Sequence, residues 1–346
     1  MKTAPLMRAM SQMGGFEQVL VHTGQHYDRA MSDVFFEELG LPEPDAYLSV
    51  GSGTHAEQTA RAMQAFEPVL LQFAPDVIVV VGDVNSTLAC AIVATKLGVK
   101  IAHVEAGLRS FDRTMPEEIN RILTDQIADY LFTPSRDGDV NLQKEGIDPK
   151  RVFFVGNVMI DTLIRLLPKT NPERATAAVG VKPHDFALAT LHRPSNVDDP
   201  DTLTQIMKAM AEVAKKRPVV FPVHPRTRAR IDDLGLASLS GDVKLVEPAG
   251  YLDFLALESV ASIVMTDSGG VQEETAYLGV PCLTLRPNTE RPVTIESGMN
   301  RLVASKASDI VSAVNTMVAQ GKAKHTIPEL WDGHTSERIA KILLEQ

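Results

Sequence analysis

The 346-residue chain holds only 2 cysteines, 1 tryptophan and 5 % aromatic residues, and no apolar run approaches the roughly 18 residues that cross a bilayer. Two thiols cannot make a disulfide framework that stands in for a core. Cys90 and Cys282 both lie in apolar patterns, which reads as buried free thiols in a reducing compartment, and the cytoplasm is the expected location. The opening MKTAPLMRAM lacks the long apolar stretch of a secretion signal. Basic residues are in the minority: 34 Lys and Arg stand against 44 Asp and Glu, a formal net charge of −10. That argues against a broad nucleic-acid-binding face, though not against one local phosphate pocket. No His or Cys pair stands at metal-ligand spacing and the carboxylates are dispersed, so no metal site is expected. Also missing is the opening strand with its Gly-rich phosphate turn, with which a doubly wound domain begins. The chain starts inside the helical pattern KTAPLMRAMSQM, and the first strand-like run begins near Glu17.

What is present is ordinary globular material, 44 % apolar and 23 % charged, long enough for two cores. Short Val-, Ile- and Leu-rich runs such as DVIVVVGD, KIAHVEAG, YLFTPS and RVFFVGN alternate with helical patterns such as HAEQTARAMQAFEPVLLQF. Strands this apolar need cover on both faces, which predicts parallel sheets flanked by helices. FALATLH, PVVFPVH, VKLVEP, SIVMTDSGG and PCLTL repeat the plan in the second half. The fold class is therefore α/β, two doubly wound Rossmann-like domains meeting across a cleft. The first covers 1–168 and the second 169–333, with the Pro-, Ala- and Thr-rich stretch near 167–183 as linker.

Ligands of open parallel sheets sit beyond the carboxyl ends of the strands, so polar residues there are the candidates. In the first half these are Asp83, Glu105 and, at the start of a helix opened by Pro116, Glu117, with Arg121 one turn on and on the same face. The second half supplies His192, Arg193, His224 and Arg226. Each has a plainer reading. Asp83 before NST could cap the next helix, Glu117 could decorate a helix dipole, and Glu118 beside it reads as a solvent-facing residue of that kind. Glu105 resists this, because a lone buried carboxylate is costly unless paired or functional. In MTDSGGVQEETAYLG a strand ends at Asp267, Ser268 caps, and Gly269 and Gly270 let backbone N–H groups approach an anion. Glu274, one turn in, can reach ribose hydroxyls. Arg291 adds a cation, and Tyr251 and Phe254 could face a base.

GDVNST, HVEAGLRS, MPEEINR, LHRPSN, PVHPRTR, TDSGGVQEE and TERP follow one another in one order across the chain. This set closely resembles the non-hydrolysing UDP-N-acetylglucosamine 2-epimerases. The resemblance implies the glycosyltransferase-B fold with an interdomain active site, and the helix at 334–346 packing back on the first domain. It implies reversible epimerisation at carbon 2 to UDP-N-acetylmannosamine, through UDP elimination to 2-acetamidoglucal and re-addition, without NAD or metal. Asp83, Glu105 and Glu117 match the family's catalytic carboxylates, and His192 matches a histidine near the sugar and diphosphate. Lys2, Arg121, Arg193, His224, Phe254, Ser268, Gly269, Gly270, Glu274 and Arg291 match substrate-binding positions. A cytoplasmic homodimer in polysaccharide biosynthesis is implied, with a UDP-sugar as the partner and neither nucleic acid nor membrane.

The chain departs from the pattern twice. Of the family's opening strand and GTRPEAIK only the end survives, so the expectation is a longer natural chain, with roughly 15 further residues, or a truncated, less stable and less active form. Gln25 and His26 match a pair through which some bacterial members bind a second substrate molecule as activator, but Gly53 stands at the matching arginine position. The alternatives are a sister UDP-diacetamido-uronate 2-epimerase, a glycosyltransferase, a nucleotide-sugar-binding protein and a hydrolysing homologue.

Overall fold

A computed structural model describes residues 1–24, 38–239, 241–320 and 325–346. The chain divides into two compact units, one of residues 1–162 with 329–346, the other of residues 163–328.

In the first unit, β1 (Val21–His22) and β2 (Ala46–Tyr47) pair in a small parallel sheet. A second parallel sheet runs in the order β3 (Val77–Val81), β4 (Lys100–Val104), β5 (Tyr130–Thr133), β6 (Val152–Phe154). Its residues alternate between two cores, as the two-residue period of a strand requires. Ile78, Val80, Ile101 and Leu131 face one core, while Ala102, Val104, Tyr130 and Phe132 face the other. The second core is closed by Leu6, Ala9 and Met10 of the opening helix Thr3–Met13 and by Ile339 and Ala340 of the last helix, Thr335–Leu344. Asp161 holds that last helix by its N-terminus, accepting from the N–H groups of Thr335 and Ser336 at 3.2 and 2.6 Å.

The second unit contains one six-stranded parallel sheet: β7 (Ala187–Thr190), β8 (Val219–Pro222), β9 (Val243–Val246), β10 (Ile263–Thr266), β11 (Cys282–Thr284) and β12 (Asn300–Leu302). The spatial order is β9-β8-β7-β10-β11-β12, the 3-2-1-4-5-6 order of a Rossmann sheet. Its switch point lies between β7 and β10, which pair from Ala187–Ile263 to Thr190–Thr266. Both faces are covered, by Phe221, Met265 and Leu283 on one side and Phe186, Leu188 and Val264 on the other. The expected linker near 167–183 is instead structured. Asn171 accepts from the Arg174 N–H and caps the helix Pro172–Ala178, whose Ala175 joins the core. Cys90 and Cys282 are buried free thiols, and burial pushes both up to about 12.

The first unit parallels the order of the second at β2-β1 and β3-β4-β5, adds β6 at one end, and among the described residues has no counterpart of β7. Where the second has β7, it has an apolar cavity of about 370 Å³, lined by Leu20 and Val21 on one side and Val77, Val79 and Val81 of β3 on the other. Among the described residues β3 pairs with β4 alone. An open strand edge facing an apolar trough is the form of a strand slot. An apolar, β-branched segment joined ahead of Met1 is expected to raise the melting temperature by more than about 5 °C, read by calorimetry. An unchanged melting temperature would show that the cavity does not accept a strand.

Candidate active site

β3 delivers its last valine to Gly82, which turns at φ +72°, a region glycine enters without the Cβ penalty. A Cβ there would also sit 3.3 Å from Glu105 Oε2 and from Lys2 Nζ. The next residue, Asp83, is not a helix cap. Val84 holds the N-cap position of the helix Asn85–Lys96, with no side-chain bond. The Asp83 carboxylate instead pairs with Arg121, and its carbonyl accepts from Asn120 Nδ2 at 2.9 Å. Both partners come from the helix Pro116–Ile127.

Glu118, expected in solvent, is a correction. It is buried because Arg121 needs a second anion and the turn before the helix needs an acceptor. Its carboxylate takes the N–H and hydroxyl of Ser110, the N–H of Phe111 and the Arg121 guanidinium, all at 2.7–3.1 Å. Burial opposes its charge, but these bonds and the Arg121 charge hold it below the usual carboxylate range. Glu117, on the same first turn, is half-buried.

Glu105 ends β4 with a left-handed backbone, φ +72°, a conformation that costs a non-glycine residue about 1 kcal/mol or more. It is only 4 % exposed. Both its N–H and that of Ala106 donate to the carbonyl of Phe132, at 3.1 and 3.0 Å. Lys2 binds Oε2, while Oε1 is buried without a hydrogen-bond partner. This strained, buried carboxylate thus has one oxygen held and the other an unused acceptor.

In the second unit, candidates gather at the switch point. His192 follows β7 and Asp267 follows β10. Asp267 Oδ1 lies 2.8 Å from His192 Nδ1, and the carboxylate also accepts from the N–H groups of His192 and Arg193 and from Asn196 Nδ2. Burial works against the Asp267 charge, but His192 and these donors hold it below the usual range. The imidazole is therefore oriented from behind while its ring stays exposed.

The helix Gly269–Leu278 opens beside it. Ser268 occupies the N-cap position, but its side chain makes no cap bond, contrary to expectation, so the first N–H groups of the helix lack that acceptor. A Cβ on Gly269 would collide with the Arg291 guanidinium, so the glycine is what lets that cation lie against the helix start. Arg291 pairs with Glu273 at 2.8 Å and with Glu290; Glu290 also takes Arg286 at 2.7 Å and lies 3.6 Å from Arg193. Three guanidiniums and a helix N-terminus make an anion seat suited to a diphosphate.

Glu274 lies on the same helix, fully packed, and accepts from the Tyr251 hydroxyl at 2.7 Å. Burial raises it to about 7 despite that bond and one with Glu258, whose own carboxyl burial raises well above 4.5. The unfolded carboxyls release their protons near 4.5, so the folded state binds more protons above that pH. Stability of the unliganded protein should fall as pH rises from about 4.5 through 7. Glu258→Gln, which mimics the neutral acid, should flatten this decline and keep the melting temperature near pH 5 within about 2 °C. Melting curves from pH 5 to 8 check it; an identical slope in the variant would contradict the assignment.

The remaining expected residues have other surroundings. His224 is exposed and caps the helix Pro225–Asp233, accepting from the Arg226 N–H at 3.2 Å. Arg226 pairs with Asp198. Phe254 is half-buried against a core cluster that includes Val271. Gln25 and His26 lie outside the described residues. The Arg61 guanidinium lies against Gly53 and donates to the Ser52 carbonyl at 2.7 Å. The sequence named Asp267 only as a strand end and Glu118 only as solvent-facing, and singled out neither Arg286 nor Glu290. The roles of all four are visible only through their partners.

The profile of the family described as UDP-N-acetylglucosamine 2-epimerase matches residues 8–344. A UDP-N-acetylglucosamine 2-epimerase of Methanocaldococcus jannaschii is 44 % identical over 350 residues, covering 99 % of this chain and 95 % of that protein. A UDP-2,3-diacetamido-2,3-dideoxy-D-glucuronate 2-epimerase of Pseudomonas aeruginosa is also 44 % identical, over 347 residues, with the same coverage. The crystal structure of the Methanocaldococcus jannaschii UDP-GlcNAc 2-epimerase in complex with UDP-GlcNAc and UDP is similar at a TM-score of 0.92 and 44 % identity, covering 100 % of this chain and 96 % of that one.

Proposed function

Since the chain belongs to the UDP-N-acetylglucosamine 2-epimerase family, we propose that it interconverts UDP-N-acetylglucosamine and UDP-N-acetylmannosamine by inverting carbon 2. A carboxylate takes the carbon-2 proton, and the C–H electron pair becomes the double bond of 2-acetamidoglucal as the carbon-1 oxygen bond breaks and UDP departs with its electrons. UDP then adds back through its terminal phosphate oxygen while carbon 2 receives a proton on the other face. This chemistry needs proton carriers for both faces and a cationic seat for the departing diphosphate.

Asp83, Glu105 and Glu117 are assigned the proton transfers, with Arg121 and Lys2 orienting the first two. His192, set by Asp267, serves the sugar–diphosphate junction. The Gly269–Gly270 helix start with Arg193 and Arg291 receives the diphosphate, Glu274 the ribose hydroxyls, and Phe254 the uracil. The resemblance also carries a cytoplasmic homodimer supplying polysaccharide synthesis; a solution mass twice 37.6 kDa would support the dimer.

The single observation behind the reading is the bare Oε1 of Glu105, a buried, strained carboxylate oxygen with no structural employment. Incubation with UDP-N-acetylglucosamine in deuterium oxide tests it. A manno-configured UDP-sugar with deuterium at carbon 2 is expected by proton NMR. The Pseudomonas relative is equally similar, so UDP-2,3-diacetamido-2,3-dideoxy-glucuronate is run beside it. Exchange on that sugar alone would move the assignment to the uronate, and exchange on neither would refute epimerisation.

A further inference from the structure

β4 carries a histidine, His103, that the reaction above does not use. It is completely buried and lies two residues before Glu105, which directly follows the end of the strand. Its Nδ1 lies 2.6 Å from Asp125 Oδ1 and its Nε2 lies 2.9 Å from the carbonyl oxygen of Gly82. A neutral imidazole has one donor and one acceptor nitrogen. A backbone carbonyl can only accept, so Nε2 carries a proton. At Nδ1 the question is which partner holds the proton, and the surroundings of Asp125 answer it. Its other oxygen accepts from the Gly107 N–H at 3.0 Å and lies 2.7 Å from the Arg109 guanidinium. A carboxylate so supplied with donors stays ionised, and the proton stays on the ring.

We propose that His103 is a constantly charged imidazolium that positions the epimerisation site: through Gly82 it holds the turn that presents Asp83, and its charge acts on the nearby Glu105. It is a positioning residue and does not touch substrate. The geometry makes it a hub. Gly82, which it holds by the carbonyl, also donates its N–H to the carbonyl of Val104 at 3.0 Å, and is flanked by the Glu105–Lys2 pair. Asp125, which it charges against, fixes Gly107 two residues beyond Glu105. The ends of β3 and β4 are thus tied together by one ring.

The charged groups around His103 are Asp125 from the helix Pro116–Ile127, Glu105 from its own strand end, and Arg109, which is itself paired with Glu145. Burial works against the imidazolium, but Asp125, the Gly82 carbonyl and Glu105 outweigh it and raise His103 above its ordinary value. Folding free energy invested in a buried ion pair is not recovered as stability with any certainty, since an apolar replacement is often as stable. A role in ordering two carboxylate-bearing turns gives the charge a use.

This inference rests on the epimerase reading, and the test separates the two. In protein labelled with ¹⁵N-histidine, both ring nitrogens of His103 are expected to stay protonated from pH 6 to 9, a result that does not depend on any substrate. Asp125→Asn should let the same ring titrate. His103→Gln keeps a donor for Gly82 but removes the charge. Its kcat is expected to fall on the order of 10- to 100-fold, with KM within about twofold, at a temperature where circular dichroism shows it folded. Loss of a nearby cation raises carboxyl pKa values, so the acid limb of its kcat–pH profile should move to higher pH. A purely structural histidine would lower the melting temperature without moving that limb. One unprotonated nitrogen at pH 8, or a variant with wild-type kcat and acid limb, would overturn the proposal. Absence of carbon-2 exchange in the wild-type protein would instead strike at the epimerase reading and leave the ¹⁵N result standing.

Discussion

Glu105→Gln is expected to lower kcat by about 10²- to 10⁴-fold, the range a positioned proton carrier supplies. The amide keeps the shape of the side chain, and its oxygen can still accept from Lys2, but it can no longer take a proton. Substrate binding should change little, because the proposed diphosphate seat is built from other residues, Arg193, Arg286 and Arg291. The signature is a collapse of kcat at nearly constant KM. Stability gives a second readout. Glu105 holds φ +72° at a cost of about 1 kcal/mol or more, which glycine would not incur. Glu105→Gly should therefore be inactive yet melt no lower than the parent, since Lys2 is partly exposed and can turn to water. A Glu105→Gln enzyme with more than a tenth of parental kcat would remove Glu105 from the proton-transfer role.

The largest loss of stability is expected from Arg121→Leu. The guanidinium is 1 % exposed and bridges Asp83 and Glu118. Glu118 cannot escape to solvent, because its carboxylate also fastens Ser110 and Phe111. Removing the cation leaves that buried charge without its counterion, a change that costs about 3–5 kcal/mol. For a unit of this size the melting temperature should fall by roughly 6–15 °C. The pH dependence has a sign. Glu118 is held below the usual carboxylate range, so its contribution is complete above about 4.5 and fades as pH falls through its folded value. Without Arg121 that acid-side loss should shrink. Arg121→Lys should recover only part of the stability, because an ammonium cannot span two carboxylates as a planar fork does. A melting temperature within 2 °C of the parent would mean that the bridge carries no stability.

Much of this protein follows from local pattern. Strands apolar on both faces and spaced by amphipathic helices leave parallel sheets as the way to bury them, and all three described sheets are parallel. Polar residues at strand ends are few, so Asp83, Glu105 and His192 could be picked out one by one. Periodicity could not reveal pairing. Glu117 and Glu118 are adjacent, one half-buried and one buried, because a helix turns 100° per residue and only packing says which of them meets Arg121. Ser268 looked like a cap and makes no cap bond, because capping depends on backbone angles and rotamer as well as residue type. The stretch near 167–183 read as a linker, yet Asn171 caps a short helix there.

The sequence alone determined the α/β class and the family, since these depend on residue type and order. Only the tertiary structure decided which charges neutralise which. Lys2 meets Glu105 across 103 positions, His192 meets Asp267 across 75, and Arg121 meets Asp83 across 38. Electrostatic energy depends on distance in space and on burial, and neither is written in the spacing of residues along a chain.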